Sequence, residues 1–251
     1  MRKKTIQQLI FTGLMVAIGI ILTYFLSITV PPTGSPIIRF GIGYLPLIVI
    51  SILFGPIYGL MGGIAQDLLG IFLIGAPIFS YTFSPVYTLN AVLYGIVPGL
   101  VFRYTGLKSK RFFFWANYVL LALFLATAGI YFFNLDYVYS QSLGQTEKFL
   151  LLATGVVSAV ILGFLNLIIN RNRRYGDHGT KLLFVVMILY MIVSLVITPL
   201  QIALWQQIPY WSLLPLRIIK MPIEVMAYVV LLVTILKLLF ELVHRTDQNE
   251  K

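Results

Sequence analysis

The chain has 251 residues, is 59% hydrophobic and only 10% charged, and has a mean hydropathy of +0.95 with a formal net charge of +10. Soluble domains carry about 25% charged residues, so this composition excludes a soluble globular protein and reads as an integral membrane protein. The absence of cysteine excludes disulfides and thiolate chemistry, and the basic residues lie dispersed in short loops, which argues against a nucleic-acid footprint.

The first run, MRKKTIQQLIFTGLMVAIGIILTYFL, has the charge order of a signal peptide. Its apolar stretch is too long and lacks a small-x-small cleavage site, so it is expected to remain as a first span over 6–28. Gly13 and Ala17 are four residues apart on it. Small residues at that spacing let helix backbones approach closely in lipid, either within the bundle or against another membrane protein. Gly55, Gly59 and Gly63, and then Gly95 and Gly99, repeat the spacing and read chiefly as internal packing.

A span needs about 20 apolar residues. The remaining candidates are 40–54, 57–75, 84–103, 112–134, 149–169, 182–205 and 213–242. Gly55-Pro56 breaks the second from the third, which suits a tight pair of short helices. With both termini cytoplasmic, the inner segments hold Arg2, Lys3, Lys4, Arg103, Lys108, Lys110, Arg111, Arg171, Arg173, Arg174, Lys181, Lys237, Arg245 and Lys251. Only Arg39, Lys148, Arg217 and Lys220 of the 18 Lys and Arg then fall outside or in the outer half. Eight spans therefore satisfy the rule that basic loops stay inside.

The segment LPLRIIKMPIEVM places Arg217, Lys220 and Glu224 at spacings of three and four, on one helical face. Charges in the bilayer cost about 2.5–3.5 kcal/mol each on insertion scales, so such a stripe asks for a partner. Arg39, ahead of the second span, and Asp67, within GGIAQDLLG, are expected at similar depth. One reading is a set of structural ion pairs. The other is an outward-facing pocket for an anionic small molecule, with Arg217 and Lys220 meeting its acidic part. Tyr44, Tyr81, Phe83, Asn90, Gln201 and Trp205 surround this depth and suit a planar heterocycle that stacks and hydrogen-bonds, although each aromatic taken singly also fits an interfacial belt.

Catalytic signatures are missing: the chain has no H-E-x-x-H, no G-x-S-x-G and no phosphate-binding P-loop. No metal site and no cofactor are expected. Anion uptake runs against about 2.3 kcal/mol per charge per 100 mV of inside-negative potential, so a coupling ion or a partner ATPase has to supply work. The absence of paired broken helices or an inverted repeat favours a binding subunit over an ion-coupled carrier. An intramembrane enzyme using Asp67 or Glu224 as acid or base is a further alternative.

Two motifs carry a resemblance. RFGIGYLPLIVISILFGPIYGLMGGIAQDLLGIFL (Arg39–Leu73) and LPLRIIKMPIEVMAYVVLL (Leu214–Leu232) resemble, in order, helices of the substrate-binding S-components of energy-coupling factor (ECF) transporters, most closely the folate type. The resemblance implies an all-α bundle of six helices that binds a vitamin from outside, with Arg217 and Lys220 near the ligand. It implies docking, through the Gly13 and Ala17 face, on a transmembrane T-component that carries two ATPases. Folate, with its flat pterin and acidic tail, suits the pocket; pyridoxine-like and hydroxymethylpyrimidine-like vitamins are the rivals. This chain departs from the pattern by two extra spans, so the expected organisation is 1–103 (four bundle helices), 104–181 (an inserted hairpin and basic loop) and 182–251 (the last two bundle helices and tail). The expected location is the cell membrane, with no nucleic-acid partner.

Overall fold

The computed structural model describes residues 2–30, 38–74, 85–104, 110–134, 137–138, 141–142, 144–172, 178–206 and 210–249. Nearly all of them are helical. The helices are α1 (Arg2–Tyr24), α2 (Leu45–Phe54), α3 (Pro56–Ile74), α4 (Pro85–Tyr104), α5 (Lys110–Phe133), α6 (Gln145–Arg171), α7 (Gly179–Leu189), α8 (Thr198–Gln206) and α9 (Leu214–Asn249). A wide π-helical stretch, Tyr190–Ile197, joins α7 to α8, and a short 3-10 turn, Tyr210–Leu213, leads into α9. Two antiparallel ribbons complete the described elements: β1 (Ile28–Val30) with β2 (Ile38–Phe40), and β3 (Tyr137–Val138) with β4 (Gln141–Ser142).

Each expected span overlaps helical structure, but several boundaries move: α1 begins at Arg2 instead of 6, α6 at Gln145 instead of 149, and α9 runs on to Asn249 instead of 242. The first helix ends at Tyr24 instead of continuing to residue 28, and the second begins at Leu45 instead of 40. β-Branched Ile28, Thr29 and Val30 pair there with Phe40, Arg39 and Ile38, the residue types that favour extended backbone. Among the described residues, six helices are long and apolar enough to cross a membrane: Thr5–Tyr24, Pro56–Leu73, Lys110–Phe133, Lys148–Arg171, Gly179–Leu204 and Leu214–Leu239. That is fewer than the eight expected. α4 has a span's length of 20 residues but is not among the six. α2 has only 10 residues; at about 1.5 Å per residue it reaches roughly half the hydrocarbon thickness.

α2 is held inside the bundle, with every side chain from Leu45 to Ser51 buried. It packs among α1, α3 and α4. Gly55 ends it with φ of 97°, a left-handed conformation that only glycine adopts readily, and Pro56 starts α3 at once. α3 and α4 then meet backbone to backbone. A Cβ on Gly59 would strike the Gly95 carbonyl, and one on Gly63 would stand 2.7 Å from Ala91 O. The Gly99 N–H donates to Ser51 Oγ at 2.7 Å. The small residues of these two helices are thus internal packing. Gly13 on α1 differs, with nothing among the described residues within 4 Å of where its Cβ would stand.

The α5–α6 pair is joined to the rest by a buried amide network. Asn117 Nδ2 donates to Asn166 Oδ1 at 3.0 Å and to Thr180 O at 3.1 Å, and Asn166 Nδ2 donates to Phe114 O at 3.1 Å. At that end of the bundle Lys110 Nζ donates to Asn170 O and Lys181 Nζ to Phe102 O. The basic ends of α4, α5, α6 and α7 therefore gather together, as the loop charges required.

Candidate binding site

Arg217, Lys220 and Glu224 occupy the first turns of α9, and Arg217 and Lys220 are 4% and 5% exposed. Lys220 Nζ lies 2.7 Å from Glu224 Oε2, an i,i+4 pair of the same helix. The ammonium also sits 5.3 Å from the centre of the Phe40 ring and 5.8 Å from that of Tyr190, within cation–π range. Arg217 and Glu224 act on each other electrostatically, so the three charges form one cluster.

Prolines shape the surroundings of Arg217. Thr198 N–H donates to Val193 O, five residues back, in the wide turn before α8. Pro199 follows and has no N–H to give. The Ser194 and Leu195 carbonyls are thereby opened to side chains. Arg217 Nη1 donates to Ser194 O at 3.2 Å, and the Tyr210 hydroxyl donates to Leu195 O at 2.8 Å. Tyr210 stands in the turn between two spans; burial raises its phenol above the ordinary value and the nearby Arg217 opposes that rise. From the other side, the Tyr190 hydroxyl donates to Arg217 O at 2.7 Å.

Beside the cluster stands a stack of tyrosines. Tyr44 and Tyr94 lie with ring centres 4.6 Å apart and planes within 13°, and Tyr94 and Tyr228 are 6.3 Å apart at 27°. The Tyr228 hydroxyl donates to Gly41 O at 3.2 Å, tying α9 to the backbone just beyond β2. Of these tyrosines, sequence reading singled out only Tyr44. Tyr228 continues the 217, 220, 224 stripe by one more turn and was open to detection; Tyr94 and Tyr190 come from other helices and carry no such signal.

The other expected residues divide. Asn90 is buried, and its Nδ2 donates to Thr198 Oγ1 at 3.3 Å while its Oδ1 has no partner among the described residues. Gln201, one turn beyond Thr198 on the same face of α8, is buried with its Oε1 likewise unfilled. Asp67 accepts a hydrogen bond from Thr88 Oγ1 at 2.5 Å, between α3 and α4. Its partner is thus a hydroxyl of α4 rather than a base of the α9 cluster. Arg39 has its backbone in β2, paired with Thr29 and next to Phe40. The side chains of Arg39 and Trp205, and all of Tyr81 and Phe83, lie outside the described residues. Ala17 lies one turn after Gly13 on an exposed side of α1.

A cavity of about 200 Å³ opens between α5 and α6, lined by Phe132, Phe133, Gln145, Lys148, Phe149 and Leu152. It shares no residue with the α9 cluster. No group of His, Asp and Glu suited to a metal ion occurs among the described residues.

No solved structure matches the chain. A curated relative, "Folate transporter FolT" from Clostridium novyi (strain NT), is 32% identical over 110 residues, which are 43% of this chain and 58% of that protein. The chain thus spans little more than half the length of this relative. The model of the family described as ECF-type riboflavin transporter, S component, matches residues 3–172, a stretch that includes α5 and α6. This multi-pass membrane protein belongs to that family of ECF transporter S-components.

Proposed function

We propose that the chain is the substrate-binding subunit of an ATP-driven vitamin importer of the cell membrane, and that its ligand is a flat heterocycle bearing carboxylate, with folate the first candidate. The observation that carries the reading is the α9 face: Arg217 and Lys220, both buried, lie with Glu224 beside the Tyr44, Tyr94 and Tyr228 rings. Among the described residues of this face, two cations and one carboxylate sum to one formal positive charge, a sign that suits a ligand carboxylate. Aromatic planes match a pterin, and the unfilled oxygens of Asn90 and Gln201 accept from ring N–H groups.

The family's name points to riboflavin and the relative's to folate. Charge favours folate, because riboflavin carries no carboxylate to meet the α9 cations. An S-component is a transport subunit and not an enzyme. Among the described residues Asp67 and Glu224 have separate partners, Thr88 and Lys220.

Delivery requires a membrane partner with ATPases. The open site of Gly13, with Ala17 one turn along, supports α1 as the docking face. The experiment is equilibrium binding of folate and of riboflavin to the purified full chain in lipid nanodiscs, followed by copurification with a T-component and its ATPases. Saturable folate binding that Arg217→Ala abolishes supports the reading. Folate binding unaffected by Arg217→Ala and Lys220→Ala rejects the assigned site.

A further inference from the structure

Pro222 stands inside α9 between Lys220 and Glu224. A proline lacks the N–H that would bond the carbonyl four residues earlier, so Ile218 O loses its helical donor. In a lipid-embedded bundle no water replaces that donor, and an unfilled backbone carbonyl is costly. Here it is supplied from another helix: Ser158 Oγ of α6 donates to Ile218 O at 3.3 Å, and Ser158 is itself buried. Gly155, three residues earlier on α6, presents its open side to the same place, where a Cβ would stand 3.9 Å from Ile218 Cγ2. α6 therefore meets α9 at Ile218, in the turn that carries Arg217 and Lys220.

We infer that Ser158 is a positioning residue for the ligand-binding face of α9. By donating to the carbonyl that Pro222 releases, it fixes the turn from which Arg217 and Lys220 project. The α5–α6 pair, which sequence reading treated as an insertion, becomes a working part of the site. The inference rests on the reading of that face as the vitamin site.

The test uses the full chain in lipid nanodiscs, as wild type, Ser158→Ala, Ser158→Thr, Pro222→Ala and the Ser158→Ala, Pro222→Ala double variant. Folate is the titrant, and melting midpoints are measured without ligand. Loss of one net hydrogen bond corresponds to about a fivefold weakening of folate binding for Ser158→Ala. Ser158→Thr keeps the hydroxyl and restores the affinity. In the Pro222→Ala background the serine change has no effect, because the alanine N–H re-forms the helical bond to Ile218 O. A Ser158→Ala penalty of equal size in both backgrounds overturns the inference. So does a lower melting midpoint with unchanged folate affinity, which marks a merely structural serine. A wild-type chain that binds no folate rejects the vitamin assignment and the positioning role with it. The ligand-free melting cycle still reports, in that case, whether Ser158 and Pro222 share the carbonyl.

Discussion

Lys220 and Glu224 face each other at 2.7 Å across Pro222, one turn apart in α9 and both largely out of contact with solvent. Removing one partner of a buried pair leaves the other charge uncompensated, at a cost of about 3–5 kcal/mol. Lys220→Met and Glu224→Leu are each expected to lower the melting midpoint strongly. The double variant is expected to recover most of the loss. A differential scanning measurement on all four forms checks this, and strictly additive losses would contradict the pairing.

Glycines at two places on the bundle make opposite demands. Gly59→Val puts a side chain into the Gly95 carbonyl, where neither backbone yields easily. Overpacking of this kind costs about 1–3 kcal/mol or more. Gly13→Leu meets open space, so the isolated chain keeps its melting midpoint and its ligand affinity. Under the proposed docking role, it loses ATP-driven uptake when assembled with its partner. Melting curves and a vesicle uptake assay separate the two.

The Asn117–Asn166 amide pair, with Thr180 O, is the buried polar link between α5, α6 and α7. Side-chain hydrogen bonds between membrane helices contribute about 0.6–2 kcal/mol. Asn166→Leu removes the acceptor for Asn117 and the donor to Phe114 O. A fall in melting midpoint of a few degrees is expected, with folate affinity nearly unchanged because the network lies toward the opposite end of the bundle from the α9 cluster.

Arg217→Lys is not a conservative change here. The guanidinium donates to Ser194 O through Nη1, one of the five N–H groups that its planar fork holds in fixed directions. A lysine ammonium has a single donating centre and no planar fork. Folate affinity is expected to fall at least about tenfold, roughly the contribution of a charge-assisted bond. Titration calorimetry measures it, and an unchanged affinity would argue that Arg217 serves the fold alone.

The helices were legible because long apolar runs are, in lipid, nearly obliged to be helical. The charged stripe on α9 was legible because spacings of three and four fix a common face. Depth, however, is only one coordinate. Asp67 was expected at the depth of the α9 charges; the glycine contacts that seat α3 on α4 bring its carboxylate to Thr88. The tyrosine stack draws one ring from each of three chain segments, so no local pattern announces it. Pro199 and Pro222 were visible in the sequence. That their freed carbonyls recruit Arg217, Tyr210 and Ser158 depends on helices brought together only by the fold.

The most direct measurement is a side-by-side titration of the full chain with folate, riboflavin and folate whose carboxylates are amidated. Saturable binding of folate is expected, with a large loss on amidation and the same loss on Arg217→Ala. Riboflavin or amidated folate binding as tightly as folate would contradict the assigned site, because the α9 cations would then have no part in holding the ligand.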